Sequence, residues 1–361
     1  MNRFLALFLL AFILIQPSVF AQQKILKEAI DRAQTEGFSG VVLVAEDGKI
    51  LLEDAMGMRT YENRVLLHES DIFELASLSK QFTAMMVMIC KEKGLLSFDD
   101  QLSKYIETPY PGITIRNLLT HTSGLPDYQA VMNQHWDKSK VAGNPEILEY
   151  LRKYKPAKSF EPGDKYEYSN TGYVLLASIV EKATGEDFVE LMREWIFKPL
   201  AMKNTDIRSL EEKAKVKNFA AGHIKDGNGN YVNANTFQSS DYTIWLGNRK
   251  GPGRVSSNAE DLLKWDQALY TEKLVSKKTM EEAYSAFKLN DGTRSYYGFG
   301  WEIKPQSPFG KMVMHTGGNP GYSTIIVRYL EENKTIIILN NNAHPDMMRL
   351  VEAATLSLGK W

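Results

Sequence analysis

The chain has 361 residues, 43% of them hydrophobic, and a net charge of −1 at pH 7, which is ample material for a large apolar core. So even a charge balance leaves no electrostatic footprint for nucleic acid or another polyanion, and those partners are excluded. With a single cysteine, Cys90, no intramolecular disulfide can hold the fold.

The chain begins Met1-Asn-Arg3, continues with a nearly unbroken apolar run from Phe4 to Ile15 and reaches a small residue at Ala21, the layout of a secretory signal. The run is too short to span a bilayer comfortably. Cleavage after Ala21, export to a periplasmic or extracellular location and no stable membrane insertion of the mature chain are therefore expected. Residues 22–36 set Leu26, Ile30 and Ala33 on one stripe and stop at Gly37, which predicts an amphipathic helix. Apolar runs at 40–45 and 49–53 meet across Glu46-Asp47-Gly48, and Asp-Gly suits the type I′ turn of a hairpin. A lone hairpin is marginal. Matching strands recur only near the other end, at 297–303, 311–315, 322–330 and 334–339, so the economical fold joins both ends in one antiparallel sheet. A last helix from Pro345 towards Leu358 can cover it.

Helical patterns fill the middle, at 77–93, 113–120, 145–154, 171–184, 186–197 and 258–270. The segment 222–253, rich in Gly, Asn and Ser, reads as a long irregular stretch able to line a cleft. The expected organisation is a signal at 1–21 and one domain at 22–361, with an α/β part (22–70 and 285–361) and a helical part (71–284).

Three short patterns carry chemistry. Ser77 and Lys80 stand three residues apart on one helical face, followed by the apolar run from Phe82 to Cys90. A serine needs a base to take its proton, and a lysine serves only if burial keeps it neutral. Tyr168 and Asn170 precede a helix, where a phenol and an amide can both face a cleft. His315-Thr-Gly-Gly318 ends a predicted strand, where glycines let a substrate backbone approach closely. Each alone is weak, since Ser-x-x-Lys also occurs at Ser285/Lys288 and Ser357/Lys360. The remaining histidines are dispersed and suggest no metal site.

In this order the three resemble the active-site motifs of penicillin-recognising serine hydrolases: class C β-lactamases, D-specific peptidases and family VIII esterases. Leu118-Leu-Thr-His-Thr-Ser-Gly-Leu-Pro126, the stretch from Gly253 to Leu262 and Tyr297-Gly-Phe-Gly-Trp301 are similar as well. The resemblance implies an α/β (α+β) fold of β-lactamase/transpeptidase type: a five-stranded antiparallel sheet flanked by terminal helices, an inserted all-helical subdomain, and the site in the seam. It implies Ser77 as the acylated nucleophile, Lys80 and Tyr168 as its proton-transfer partners, Asn170 as a substrate or lysine ligand, and the N–H groups of Ser77 and Gly318 as the oxyanion hole. No cofactor is implied.

One departure falls at His315, where β-lactamases and carboxypeptidases of this type carry lysine. Arg349 resembles a residue near the substrate carboxylate, but Asp346 stands where asparagine is usual. Both changes point away from anionic substrates, with His315 expected to gain a proton towards pH 6. The implied function is an exported serine hydrolase acting through a Ser77 acyl-enzyme on a small ester, amide or D-amino-acid-containing peptide. A β-lactamase or D-Ala-D-Ala carboxypeptidase is the alternative, and a penicillin-binding sensor without turnover is the second. The oligomeric state is left open.

Overall fold

A computed structural model describes residues 24–359, so the expected signal at 1–21 lies outside the described residues. Helix α1 spans 24–35 and buries Leu26, Ile30 and Ala33, as its apolar stripe requires. Strands β1 (Gly40–Glu46) and β2 (Lys49–Met56) follow. Asp47 and Gly48 both adopt positive φ, 51° and 71°, which is the backbone of a type I′ turn. Four strands from the far end complete the sheet: β3 (Glu302–Lys304), β4 (Met312–Asn319), β5 (Tyr322–Tyr329) and β6 (Lys334–Asn340). All pair antiparallel in the order β3-β4-β5-β6-β1-β2, and β1 lies in register on β6 from Gly40↔Asn340 to Glu46↔Lys334. The chain's two ends therefore share one sheet. It has six strands rather than five because the three-residue β3 adds an edge to β4.

Two strand boundaries differ from the sequence reading. The run at 297–303 becomes a strand only at Glu302, because Gly300, at φ 78°, turns the chain just before it. The run at 311–315 does not stop at His315. β4 continues through Thr316, Gly317 and Gly318 to Asn319, paired with β5 throughout, and the turn falls at Pro320-Gly321. The two glycines thus sit inside a strand.

Side chains alternate across the sheet. On β1, Val41, Leu43 and Ala45 face the core that contains helix α2 (Ser79–Glu92), while Val42 and Val44 face α1 and the last helix. With both faces covered, β6 reads Lys-Thr-Ile-Ile-Ile-Leu-Asn and is buried at every position instead of alternating. Helix α2 is enclosed all round, with every residue from Ser79 to Cys90 buried, as the nearly all-apolar run from Phe82 to Cys90 demands. Cys90 is free within it, and burial pushes its thiol up to about 12. Helix α3 (Asn170–Thr184) packs against α2; Ser169 caps it by accepting from the Gly172 N–H (3.2 Å), and Gly185 ends it at φ 77°. Helix α4 (Ala259–Ala268) lies against β6 and β1 on the α2 side, and α5 (Met347–Ser357) packs on the other face. The segment 222–253 holds a small hairpin, His223–Lys225 with Tyr231–Asn233, and a short turn of helix, Tyr242–Trp245. A three-stranded sheet of Phe73–Glu74, Val255–Ser257 and Asp206–Ile207, which the sequence pattern does not announce, ties the stretch just after this segment to the chain just before α2.

Under the sheet Arg328 is fully buried and held by Asp266 and the Tyr284 hydroxyl. Removing one partner of a buried pair leaves an uncompensated charge. Asp266→Ala is therefore expected to lower stability by about 3–5 kcal/mol, read from the urea midpoint; a loss under about 1 kcal/mol would show the pair to be dispensable.

Candidate active site

The site forms where the turn before α2 meets β4. Ser77 lies in the single 3₁₀ turn Ala76–Leu78, and Ala76 is driven to φ 49°, a left-handed conformation that a non-glycine residue adopts only under constraint. Gly317 supplies part of that constraint. A Cβ there would lie 2.2 Å from the Leu75 carbonyl oxygen and 2.3 Å from Thr324 Oγ1, so only glycine lets β4 press against the turn. Thr324 in turn donates to the same Leu75 carbonyl at 2.9 Å. Gly318, one residue on, has open space where a Cβ would be, and it shares with Ser77, Asn170, Tyr242 and Arg249 a polar cleft of about 70 Å³.

Lys80 is fully buried, and its Nζ has three oxygen neighbours: Asn170 Oδ1 at 2.8 Å, the Pro252 carbonyl at 3.0 Å and Ser77 Oγ at 3.1 Å. Burial, and then the nearby Arg249 guanidinium, hold its pKa well below that of an ordinary lysine. A neutral amine has two N–H groups and one lone pair. Two of the neighbours, an amide oxygen and a proline carbonyl, can only accept, so they use both N–H groups and leave the lone pair for the Ser77 hydroxyl.

Tyr168 reaches the same point from the other side. Its hydroxyl hydrogen-bonds Ser77, its ring centroid lies 4.7 Å from Lys80 Nζ, and burial raises its pKa despite the Ser77 contact. The phenol is thus protonated at neutral pH. Behind it stands His121, fully buried, with its ring 4.3 Å from that of Tyr168 and 4.4 Å from that of Tyr297. His121 Nδ1 accepts the Ser169 N–H at 3.1 Å, which fixes the backbone between Tyr168 and Asn170.

His315 does not present a charge to the cleft, contrary to the expectation from sequence. It is 2% exposed; Nδ1 donates to the Thr316 carbonyl (2.6 Å), so Nε2 must accept from the Tyr297 hydroxyl (2.8 Å). Burial, and next the proximity of Lys80, lower its pKa to about 3, so it stays neutral across the pH range in which it was expected to titrate. Arg349 is a second correction. Its helix, α5, packs on the sheet face opposite α2, and its guanidinium is held by Glu36 and Asp346, so neither Arg349 nor Asp346 brings an unpaired charge to Ser77. The cation that does line the cleft is Arg249, from the irregular segment. That segment was expected to line a cleft, but Arg249 itself, the Pro252 carbonyl, Thr324 and the His315–Tyr297 bond have no signal in the sequence pattern.

The two buried histidines give a testable acid lability. Burial lowers both His315 and His121, so the unfolded chain, with histidines near about 6.5, binds protons that the native state refuses. Stability is then complete above about 6.5, falls as pH drops below it, and for His315 goes on falling to about 3. Each histidine contributes a slope of up to about 1.4 kcal/mol per pH unit. Urea unfolding of the wild type and His315→Asn from pH 8 to 4.5 measures it, and equal slopes for the two proteins would refute it.

A β-lactamase family model matches residues 24–359, essentially all of the described chain. The chain belongs to the β-lactamase family. Within the family it is 40% identical over 308 residues to penicillin-binding protein 4* of Bacillus subtilis (strain 168), covering 84% of this chain and 68% of that one. It is 25% identical over 333 residues to a D-aminopeptidase of Gluconobacter oxydans (strain 621H), covering 91% of this chain and 60% of the relative. Among solved structures, the octameric penicillin-binding protein homologue from Pyrococcus abyssi superposes with a TM-score of 0.80 at 28% identity, over 94% of this chain and 77% of that one. The β-lactamase/transpeptidase-like fold, with its sheet and helical subdomain, is thus the family's own.

Proposed function

We propose that this β-lactamase family member is a serine hydrolase that forms an acyl-enzyme at Ser77 and acts on a small ester, amide or D-amino-acid-containing peptide. The observation that carries this reading is Lys80: a buried amine, its pKa held well below the ordinary lysine range, with two fixed acceptors and Ser77 Oγ (3.1 Å) around Nζ, so that its neutral form has a lone pair for the Ser77 proton. In the proposed reaction Lys80 takes the Ser77 proton as Oγ attacks a carbonyl, and the N–H groups of Ser77 and Gly318 bind the developing oxyanion. Tyr168, a protonated phenol touching Ser77, passes a proton to the leaving group and then helps water attack the acyl-enzyme. The similarity to a D-aminopeptidase supports the peptide branch of the reading, and the absence of a cation at position 315 supports substrates other than β-lactams. Export is part of the same proposal and rests on the pattern at 1–21.

A panel of a neutral p-nitrophenyl ester, D-aminoacyl p-nitroanilides and a chromogenic cephalosporin tests the function. The expected result is turnover of the ester or anilide with kcat/KM above that for the cephalosporin. Preferential cephalosporin hydrolysis would move the β-lactamase alternative ahead, and a stoichiometric burst without turnover on any substrate would favour the sensor.

A further inference from the structure

Behind the wall of the Ser77 cleft lies a second cleft of about 250 Å³, between the segment 207–212 and the loop 247–254. Basic side chains line it: Arg193, Arg208, Arg249, Lys250 and Arg254, against one carboxylate, Glu212. Two of these cations are already paired. Arg193 is bound by Asp206 and Glu190, and Lys250 by Glu181 and Asp187.

The other three make no ion pair with a carboxylate among the described residues. Arg208 donates to Ser256 Oγ (2.7 Å) and the Asn204 carbonyl (3.3 Å). Arg254, 4% exposed, donates only to the carbonyls of Arg208 (2.9 Å) and Thr243 (3.4 Å). Arg249 donates to the Tyr128 hydroxyl (2.6 Å), and its Nε is buried without a partner. The nearby carboxylates are committed elsewhere: Glu74 to Lys213, and Glu212 to the Ser209 N–H at 2.7 Å. Burial lowers the pKa of Arg208 and of Arg254, although acidic neighbours (Asp206, Glu212 and Asp261 for the first, Glu74 and Glu212 for the second) act against it, whereas Tyr128, Tyr242 and Glu74 raise that of Arg249 despite burial.

Three arginines that line one partly desolvated cleft without an ion pair favour an anion there, and the planar fork of arginine matches oxygen pairs on phosphoryl and carboxylate groups. We propose that the cleft lined by Arg208, Arg249 and Arg254 is a binding site for a small oxyanion, a free phosphate or the phosphoryl or carboxylate end of a small molecule. Arg249 lines this cleft and the Ser77 cleft alike, so the bound oxyanion sits next to the residues around the nucleophile. The site is independent of the hydrolase reading, because its test reads binding and not turnover.

Calorimetric titration of the full chain with inorganic phosphate and, separately, with acetate, at ionic strength held constant with chloride, is the experiment. Saturable binding of at least one anion is expected, and the comparison tells a phosphoryl-type from a carboxylate-type ligand. Arg208→Gln is expected to weaken it about tenfold or more, and Arg208→Lys to restore part of it. Should Arg208→Gln fail to fold, Asn248→Asp, which sets a competing carboxylate on an exposed position of the same cleft, is expected to abolish binding. Heats no larger than those of the chloride control, or equal affinity in the wild type and the folded variant, overturn the proposal.

Discussion

Ser77→Ala is expected to abolish covalent labelling by a fluorophosphonate and to lower kcat/KM by on the order of 10⁶, the scale seen when a serine nucleophile is removed from a site whose parts act together. The reason is geometric. Among the described residues Ser77 is the one serine whose hydroxyl meets both the Lys80 amine, at 3.1 Å, and the Tyr168 phenol. Ser79, two residues on, is fully buried and accepts the Val255 N–H at 3.0 Å, so its hydroxyl is committed to the fold. Ser79→Ala is expected to keep its label. Intact-protein mass spectrometry after labelling decides the matter, and a Ser77→Ala protein that still gains one adduct would place the nucleophile elsewhere.

Lys80→Ala and Tyr168→Phe are each expected to reduce acylation by at least about 10³-fold, and the double variant to lose little more than the worse of the two. In the proposed reaction the two side chains serve one proton transfer: Lys80 takes the proton of Ser77, and Tyr168, whose hydroxyl also hydrogen-bonds Ser77, passes one onwards to the leaving group. Removing either leaves the relay broken, so the second loss finds little left to remove. The wild-type acylation rate is also expected to rise with pH as Lys80 gives up its proton, through a midpoint well below that of a free lysine. In Tyr168→Phe that midpoint should persist, because burial and Arg249 set it and Tyr168 does not. A double variant whose loss equals the product of the single losses would show that the two residues act separately.

Much of the architecture was legible because it rests on local rules. The Asp47-Gly48 turn needs two positive φ values, and that residue pair supplies them at little cost. The run from Phe82 to Cys90 in helix α2 is apolar almost all round, which has no stable solution except enclosure. The end of β4 was not legible, since two glycines in a row signal a turn and only pairing with β5 keeps Gly317 and Gly318 extended. The strand expected at 297–303 was legible as a strand but not in its extent, since Gly300 turns the chain and leaves only the three residues of β3.

For the site, the sequence by itself determined the neighbourhood of Ser77 and the family resemblance, because the three-residue spacing carries Ser77, in the 3₁₀ turn, to Lys80 in the first turn of α2. What it could not determine was charge. Whether a histidine is a cation depends on the groups packed around it, and Tyr297, Thr316 and Lys80 reach His315 only through the tertiary fold. Whether Arg349 serves a substrate depends on which carboxylates lie within reach, and Glu36, more than 300 residues away in sequence, is one of them. Arg249 came to line the cleft by the opposite route, from an irregular segment with no periodicity to read. Spacing fixes which side chains share a face, but solvation and long-range pairing fix their protonation, and those exist only once the chain has closed on itself.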